Sequence, residues 1–198
     1  MFAYCGNNPP RRRDTRGDDW EDVLNEKLDM LEKCVDVYES VGQKYDLCVS
    51  QGFAGNASMV FFDDVQSIAV VFDTKGNIAI QGQPFTKGIT TGGAAPSASF
   101  VATTTVTFAP SYEKLEGMGY SMGGSCFSNY YGLGGGLDVN FCQDPNTKKV
   151  YYGLTASAGI GVPSFETHII RGNTYTIKQY NIFTMIRNGI KAIRRKIK

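Results

Sequence analysis

The chain contains one histidine, His168, in the run SFETHII. If this run is a β-strand, Glu166 and His168 lie on the same face, because side chains two positions apart point the same way. An imidazole beside a carboxylate could act as a general base. A lone histidine late in a chain is more often structural, so the sequence predicts no catalytic site. Glu166 and His168 are the two candidates to examine.

The motifs of other common active sites are absent from the sequence. The glycine-rich runs GMGYSMGGS and GLGGGLD contain no GxxxxGK[ST] phosphate loop, and there is no GxSxG motif. The five cysteines lie at positions 5, 34, 48, 126 and 142, without the CxxC pair typical of zinc sites. A disulfide between Cys126 and Cys142 remains an alternative. We expect no metal and no cofactor, and the residues favour a non-enzymatic domain over an enzyme.

The stretch from Tyr130 to Gly161 predicts one long β-hairpin. Apolar residues recur at alternate positions in both arms, YYGLGGGLDVNFCQ and KVYYGLTASAGIG, and Asp144, Pro145 and Asn146 supply the turn. Glycine fills much of the other face. Because glycine packs nothing, we interpret it as allowing the sheet to bend sharply or another backbone to approach closely.

The same alternation continues through the segment 57–178. A hairpin is predicted around DTKGN, where Gly76 suits a positive φ. Further strands are predicted over 97–108 and 116–126, a long loop over 84–96, and two short strands on either side of a turn at Arg171–Asn173. VVFDTKGNIAIQG aligns with VNFCQDPNTKKVYYG, and Pro96-Ser97 with Pro163-Ser164, at an offset of about 67 residues. This weak duplication suggests two related hairpin units.

These patterns predict a mainly β fold. We expect an antiparallel meander of about eight or nine strands that forms a small barrel or a two-sheet sandwich, with a helix at each end of the chain. The segments are 1–17 as a linker, 18–56 as a helical segment that Gly42 could divide, 57–178 as the glycine-rich β domain, and 179–198 as a basic amphipathic helix.

The two predicted helices carry opposite charge. Carboxylates dominate the polar face of the first, while the second places isoleucines at helical spacing beside six basic residues, Arg187, Lys191, Arg194, Arg195, Lys196 and Lys198. A basic amphipathic helix is typical of a membrane surface. It could also pair with the acidic first helix or remain solvated. We expect a membrane or partner surface there, and no nucleic acid, since the net charge of the whole chain is only +1.

The N-terminal run from Phe2 to Pro9, FAYCGNNP, is followed by Asp14 and Gly17. It resembles the end of the Rhs (YD-repeat) core, where an aromatic-AYC-x-NNP run leads into a DPxG motif. Thr15 and Arg16 stand where a proline and a small residue are usual. Further on, the order DTKGN, GGAAPSAS, YEKLEG is similar to glycine-rich C-terminal domains of Rhs and other polymorphic toxins, with Leu115–Gly117 as the shared Leu-Glu-Gly core.

The resemblance implies a variable C-terminal effector domain, delivered to a neighbouring cell as part of a larger secreted or cell-surface protein. No signal peptide and no apolar run of membrane-spanning length is recognisable in the sequence. We expect a toxin-like, non-enzymatic domain that acts at a membrane, with the Rhs core and an immunity protein as partners. The alternative is a non-toxic structural or binding module at the end of the Rhs shell.

Overall fold

The structure is a computed structural model that describes residues 20–59, 62–84, 86–91, 97–144 and 146–197. It divides into two compact units. One comprises the two helices, α1 (Trp20–Gly42) and α2 (Ile182–Ile197), with the last residue of α1, Gly42, counted in the other unit. The other, 42–181, comprises nine strands and a 3₁₀ turn at Tyr112–Leu115. The strands are β1 (Cys48–Met59), β2 (Phe62–Asp73), β3 (Asn77–Gln83), β4 (Thr86–Thr91), β5 (Ser97–Thr107), β6 (Gly117–Phe127), β7 (Leu133–Gln143), β8 (Val150–Gly161) and β9 (Ser164–Asn181).

All nine strands pair in antiparallel fashion within a single sheet, in the order β1-β5-β8-β7-β6-β9-β3-β2-β4. β1 also pairs with β2, and β4 also pairs with β9, so the sheet rings round on itself. The prediction of a mainly β fold with eight or nine antiparallel strands and two flanking helices is therefore confirmed. Closure leaves an inner and an outer face, and the side chains of each strand alternate between them.

The strand order contains the same motif twice. In β5-β1-β2-β3 and in β9-β6-β7-β8, the last strand of the motif along the chain lies beside the first, which is the Greek-key order. The strands therefore do not follow the predicted meander. The two sequence segments that align with each other occupy equivalent positions in the two motifs. VVFDTKGNIAIQG spans parts of β2 and β3, and VNFCQDPNTKKVYYG spans parts of β7 and β8, which are the second and third strands of their motifs. Ser97 and Ser164 each begin the fourth strand. The topology therefore agrees with the weak duplication in the sequence.

The glycine-rich hairpin is confirmed as β7 and β8, paired from Leu133 with Ile160 to Gln143 with Val150. Its glycines lie where backbones approach too closely for a side chain. A Cβ on Gly134 would lie 2.0 Å from the carbonyl oxygen of Cys126 in β6, and one on Gly159 would lie 2.2 Å from that of Phe100 in β5. The interpretation of these glycines as points of close approach holds.

Three of the local predictions are wrong. The first strand begins at Cys48 rather than near Ala57, so no second helix follows Gly42. The predicted loop 84–96 contains β4. β9 is one strand of 18 residues, without the predicted turn at Arg171–Asn173. Pairing with β6 on one side, and with β4 and then β3 on the other, keeps this strand extended, because tertiary partners outweigh the local turn preference of glycine and asparagine.

Among the described residues of the sheet, buried apolar side chains form two small clusters. The larger comprises Cys48, Val71, Ala79, Ala109, Tyr112 and Tyr151, with Leu115 of the 3₁₀ turn and Cys142 packed against it. It lies at the lower end of the ring, marked by the turns 74–76 and 146–149. The second comprises Ala54, Val101 and Phe127, with Val65 packed against it. It lies nearer the upper end, marked by the turns 128–132 and 162–163.

In the helical unit, ion pairs join α1 and α2 at heptad spacing. Arg187 binds Asp36 at 2.8 Å and Glu39 at 2.5 Å; seven residues later, Arg194 binds Asp29 and Glu32. Because the later arginine contacts the earlier carboxylates, the helices run antiparallel. Leu28 and Val35 on α1 and Ile190 on α2 are buried.

Candidate functional surfaces and the polar interior

The outer face of the sheet carries a continuous row of aliphatic side chains across six strands. Strand pairing sets the members of this aliphatic row side by side: Val106, Leu154, Val139, Met122, Ile169 and Ile89. All but Val106 are exposed, Leu154 to 60%. An aromatic row lies next to it towards the lower end, formed by Phe108, Tyr152, Phe141 and Tyr120. Arg171 and Lys87 continue the aromatic row on β9 and β4.

The upper end of this face is also apolar. Tyr130 and Tyr131, in the turn between β6 and β7, are 90% and 82% exposed, and Phe165 at the start of β9 is exposed as well. Aliphatic and small side chains thus occupy the middle of the outer face, with aromatic side chains towards both ends. Within the fully described strands β5, β6, β7 and β8, Asp138 is the one charged residue, and it lies on the inner face.

The inner face has the opposite character. The row directly behind the aliphatic row consists of Thr105, Thr155, Asp138, Gly123, His168 and Thr90. Thr105 and Thr155 share a hydrogen bond of 2.6 Å, and the side-chain amide of Asn140 donates to Thr155 at 2.5 Å. An interior cavity of about 220 Å³ is lined mainly by hydroxyl, amide and small side chains. Between the two apolar clusters, the middle of the sheet is therefore polar inside and apolar outside. This is the reverse of an ordinary water-soluble sheet domain.

Glu166 and His168 both lie on the inner face of β9 and are buried, with 2% and 8% exposure. Glu166 accepts hydrogen bonds from Ser97 at 3.0 Å and Ser125 at 3.1 Å. Ser97 shares a 2.6 Å hydrogen bond with Ser58. Since β5 and β9 are not neighbours in the sheet, the Ser97–Glu166 bond crosses the interior and joins the two Greek-key motifs.

His168 pairs with Asp138 rather than with Glu166: its Nε2 lies 3.0 Å from Asp138 Oδ1. The two residues occupy β9 and β7, on either side of Gly123 in β6. A Cβ on Gly123 would lie 1.9 Å from Asp138 Oδ1, so the missing side chain is what lets the pair meet. Sequence reasoning did not identify Asp138. Its even position in the alternating β7 pattern, facing His168 across a glycine, was the available signal.

The structure divides the predicted basic surface into two sets. Arg187 and Arg194 are paired with carboxylates of α1, as in the alternative interpretation of the sequence. Lys191, Arg195 and Lys196 are exposed, and Lys198 lies outside the described residues. This second set keeps the charge that a membrane or partner could use.

The four cysteines that the structure describes form no cross-link. Cys34, Cys48, Cys126 and Cys142 are free thiols, and Cys126 pairs with Gly135 while Cys142 pairs with Gly119. The suggested Cys126–Cys142 disulfide is therefore wrong, because the residues lie at opposite ends of the β6–β7 pairing. Within the described ranges, no cluster of three or more His, Cys, Asp or Glu side chains is arranged to hold a metal ion. Neither helix in that part of the chain is long and apolar enough to cross a bilayer.

No protein-family model and no curated protein matches the sequence. Among solved structures, the chain is similar to virulence-associated protein VapB from the intracellular pathogen Rhodococcus equi. The TM-score is 0.32 and the sequence identity is 12%, and the match covers 68% of this chain and 96% of that chain. A TM-score at this level supports no conclusion about the present protein.

Proposed function

We propose that this chain is a toxin-like, non-enzymatic effector domain that acts at a membrane by placing the outer face of its sheet against lipid. The observation that carries the proposal is the reversed polarity of the sheet. Four adjacent strands present no charged side chain on the outside, while serine, threonine, amide and carboxyl groups lie in the middle of the inside, between the two apolar clusters. A closed antiparallel sheet with this polarity can face hydrocarbon, because its backbone groups pair internally.

The dimensions of the strands support the same proposal. Six of them have 11 or 12 residues. A strand of that length extends roughly 36 Å, or roughly 25 Å along the membrane normal at a tilt of about 45°. The hydrocarbon core of a bilayer is about 30 Å thick. The positions of the aromatic side chains, towards both ends of the aliphatic middle, suit the two lipid–water interfaces.

The exposed basic set on α2 gives the proposal a second point of contact. Lys191, Arg195 and Lys196, together with Lys198, would attract an anionic lipid surface. The delivery of the domain by an Rhs-type parent protein, and its neutralisation by an immunity protein, are part of the proposal and rest on the N-terminal resemblance.

Quenching by brominated lipid tests contact with the hydrocarbon. Trp20 is the one tryptophan of the chain, so Trp20→Phe provides a silent background for tryptophan at Leu137, an outer-face residue that is 73% exposed. Bromine at the middle of the acyl chains should quench Leu137→Trp strongly. Gln143→Trp, near the lower end of the same strand, should be quenched less. Equal quenching at both sites, or none, would contradict the proposed contact.

Toxicity is tested by expressing the chain inside a susceptible bacterium. We expect growth arrest and loss of membrane potential with the wild type. Leu137→Glu should abolish the growth arrest and the loss of membrane potential, because it places a charge in the middle of the lipid-facing band. Such a charge costs roughly 2–4 kcal/mol for arginine or lysine and less for glutamate. Gln143→Glu, near the end of the strand, should keep both effects. Normal growth with wild-type protein, together with capture of the parent Rhs core by the same outer face, would favour the non-toxic binding module instead.

A further inference from the structure

The two ends of the ring differ in charge. Four segments lie at the lower end: 43–47, 74–76, 108–116 and 146–149. They carry eight charged residues, Lys44, Asp46, Lys75, Glu113, Lys114, Glu116, Lys148 and Lys149. The Thr74 amide donates to the Leu47 carbonyl at 3.1 Å, and Lys114 pairs with Asp144 at 2.9 Å, so the segments are joined to one another in pairs. The lower end is therefore a charged surface.

The upper end carries far less charge. Its two described turns, 128–132 and 162–163, have the sequences SNYYG and VP. The residues between β1 and β2 and between β4 and β5 lie outside the described ranges, and their sequences, VF and GGAAP, contain no charged residue either. Within three positions of an upper strand end, the charged residues among those described are Asp63, Asp64 and Glu166. Glu166 is buried inside the ring, which leaves Asp63 and Asp64.

Apolar side chains cover the upper end instead. The exposed ones are Tyr130, Tyr131, Leu133, Ile160, Val162 and Phe165. The two upper turns are in contact, because the Gly161 amide donates to the Gly132 carbonyl at 2.8 Å. Leu137 lies between Leu133 and Val139 on the outer face of β7, so this apolar surface continues into the aliphatic row.

The difference between the ends decides which of them can pass through a bilayer. The chain enters the sheet at Cys48 and leaves it at Asn181, and both residues lie at the lower end. Passing the lower end through hydrocarbon would carry the eight charged residues and both connections with it, whereas passing the upper end would carry Asp63 and Asp64. Because the transfer of each charged side chain into hydrocarbon is costly, the upper end is the one that can cross.

We propose that the upper end is the surface that enters the bilayer first and crosses it, while the lower end stays at the leaflet of arrival. This inference rests on the proposed membrane action and adds its direction. At the far leaflet, Tyr130 and Tyr131 reach the level of the lipid head groups, where tyrosine is favoured. The exposed basic set on α2 remains on the side of arrival, because α2 is joined to the end that does not cross.

Lipids with a nitroxide on the head group test the direction, because a nitroxide quenches nearby tryptophan. Vesicles of phosphatidylcholine and phosphatidylserine carry this lipid in both leaflets, and external ascorbate removes the nitroxide from the outer leaflet before the protein is added. In a Trp20→Phe background, Tyr131→Trp reports on the upper end and Tyr45→Trp on the lower end. In ascorbate-treated vesicles we expect strong quenching of Tyr131→Trp and little of Tyr45→Trp. Untreated vesicles should quench both.

Two substitutions that add a lysine test why the upper end leads. Asn129→Lys puts a charge into the turn 128–132, which must pass through the hydrocarbon, so quenching of Tyr131→Trp from the inner leaflet should develop roughly ten-fold more slowly. Gln43→Lys adds the same charge at an exposed position of the lower end and should leave this rate unchanged. Circular dichroism and the melting temperature establish that each variant is folded.

The outcomes separate the direction of insertion from membrane contact itself. Quenching of Tyr45→Trp from the inner leaflet that equals or exceeds that of Tyr131→Trp would overturn the direction and leave membrane contact standing. Quenching of both sites in untreated vesicles alone would do the same, since the protein would then lie within the outer leaflet. Equal effects of Asn129→Lys and Gln43→Lys would also contradict the direction. Without quenching in either kind of vesicle, the proposed function and this inference fail together.

Discussion

Gly123 lies between Asp138 and His168 in the pairing of three neighbouring strands. A methyl group at this position would meet both the Asp138 carboxylate and the carbonyl oxygen of Leu137, the latter at 2.2 Å. We expect Gly123→Ala to separate the His168–Asp138 pair and to lower the free energy of unfolding by roughly 1–3 kcal/mol, as other overpacked sites do. Urea denaturation measures this change.

Gly55→Ala is the matched control, because it is also a strand glycine and has open space around it. Its stability should be unchanged or higher by up to about 1 kcal/mol, since alanine restricts the unfolded chain more than glycine does. Equal destabilisation of the two variants would mean that the loss of glycine, rather than the displaced carboxylate, is responsible.

Asp144 organises the turn between β7 and β8. Its carboxylate accepts hydrogen bonds from Thr147 Oγ1 at 2.7 Å, Lys114 Nζ at 2.9 Å and the Asn146 amide at 3.0 Å. These contacts, with the Thr147 hydroxyl as the largest, hold the pKa of Asp144 far below its usual value. A carboxyl whose pKa is lowered by folding stabilises the native state above its unfolded pKa of about 4, and the gain is lost as the pH falls towards the folded pKa.

Asp144→Asn should therefore destabilise the protein at pH 7 and change its stability much less at pH 2. Thermal melts between pH 2 and pH 7 provide the measurement, with Asp46→Asn in the exposed segment before β1 as the control. A stability deficit that is as large at pH 2 as at neutral pH would contradict this role of the carboxylate.

At the scale of elements, the basic residues of α2 should fall into two groups. Substituting the two arginines that face α1 should change stability, and substituting the other basic residues should change binding to vesicles. Arg187→Ala and Arg194→Ala remove ion pairs with partly exposed carboxylates. We expect each to cost no more than about 1 kcal/mol, and less at 1 M salt, where surface charges are screened. Trp20 in α1 provides the fluorescence signal for unfolding of the helical unit.

Lys191, Arg195 and Lys196 should behave in the opposite way. Changing all three to glutamine should leave the Trp20 unfolding curve in place while weakening binding to anionic vesicles by about 1 kcal/mol per residue, or roughly a hundred-fold in total. Flotation with phosphatidylserine vesicles measures the binding. Unaltered flotation of this triple variant would remove α2 from the proposed membrane contact.

Local sequence signals were sufficient to predict some of the strands and turns but not others. The β7–β8 hairpin was predictable because the alternation, the DPNTK turn and the glycines all favour the same structure. β4 was not, since its TKGITT sequence has no strong pattern and becomes a strand only by pairing along β9. The turn predicted at Gly172 failed for the same reason. Pairing with β4 and β6 on its two sides holds that glycine in an extended strand.

At the scale of the whole molecule, the Ser58–Ser97–Glu166–Ser125 network ties the two Greek-key motifs together across the interior. Glu166→Ala removes the acceptor for two hydroxyls and should lower the free energy of unfolding by roughly 1–3 kcal/mol. Ser58→Ala, which leaves the bond between Ser97 and Glu166 in place, should cost less. Guanidinium denaturation of the wild type and the two variants measures their free energies of unfolding. A larger loss of stability for Ser58→Ala than for Glu166→Ala would refute a central role for Glu166.

The alternation along the strands predicted that two faces exist but not which one is enclosed. Period two is identical for a sheet that buries Leu137 and Leu154 and for one that exposes them. The decision rests on closure, because curling the sheet encloses the face that carries glycine, serine and threonine in the middle of β6, β7 and β8. Pairing between β1 and β2, distant from the glycine-rich hairpin, completes that closure. No local segment carries that information.

The exposure of the aliphatic row has a consequence for handling the protein in water. Leu137, Leu154 and Ile169 are among the exposed aliphatic side chains of the outer face. Large exposed apolar surfaces associate with one another in water. In plain buffer the purified chain should sediment as oligomers whose size grows with concentration, and a mild detergent should return it to single copies.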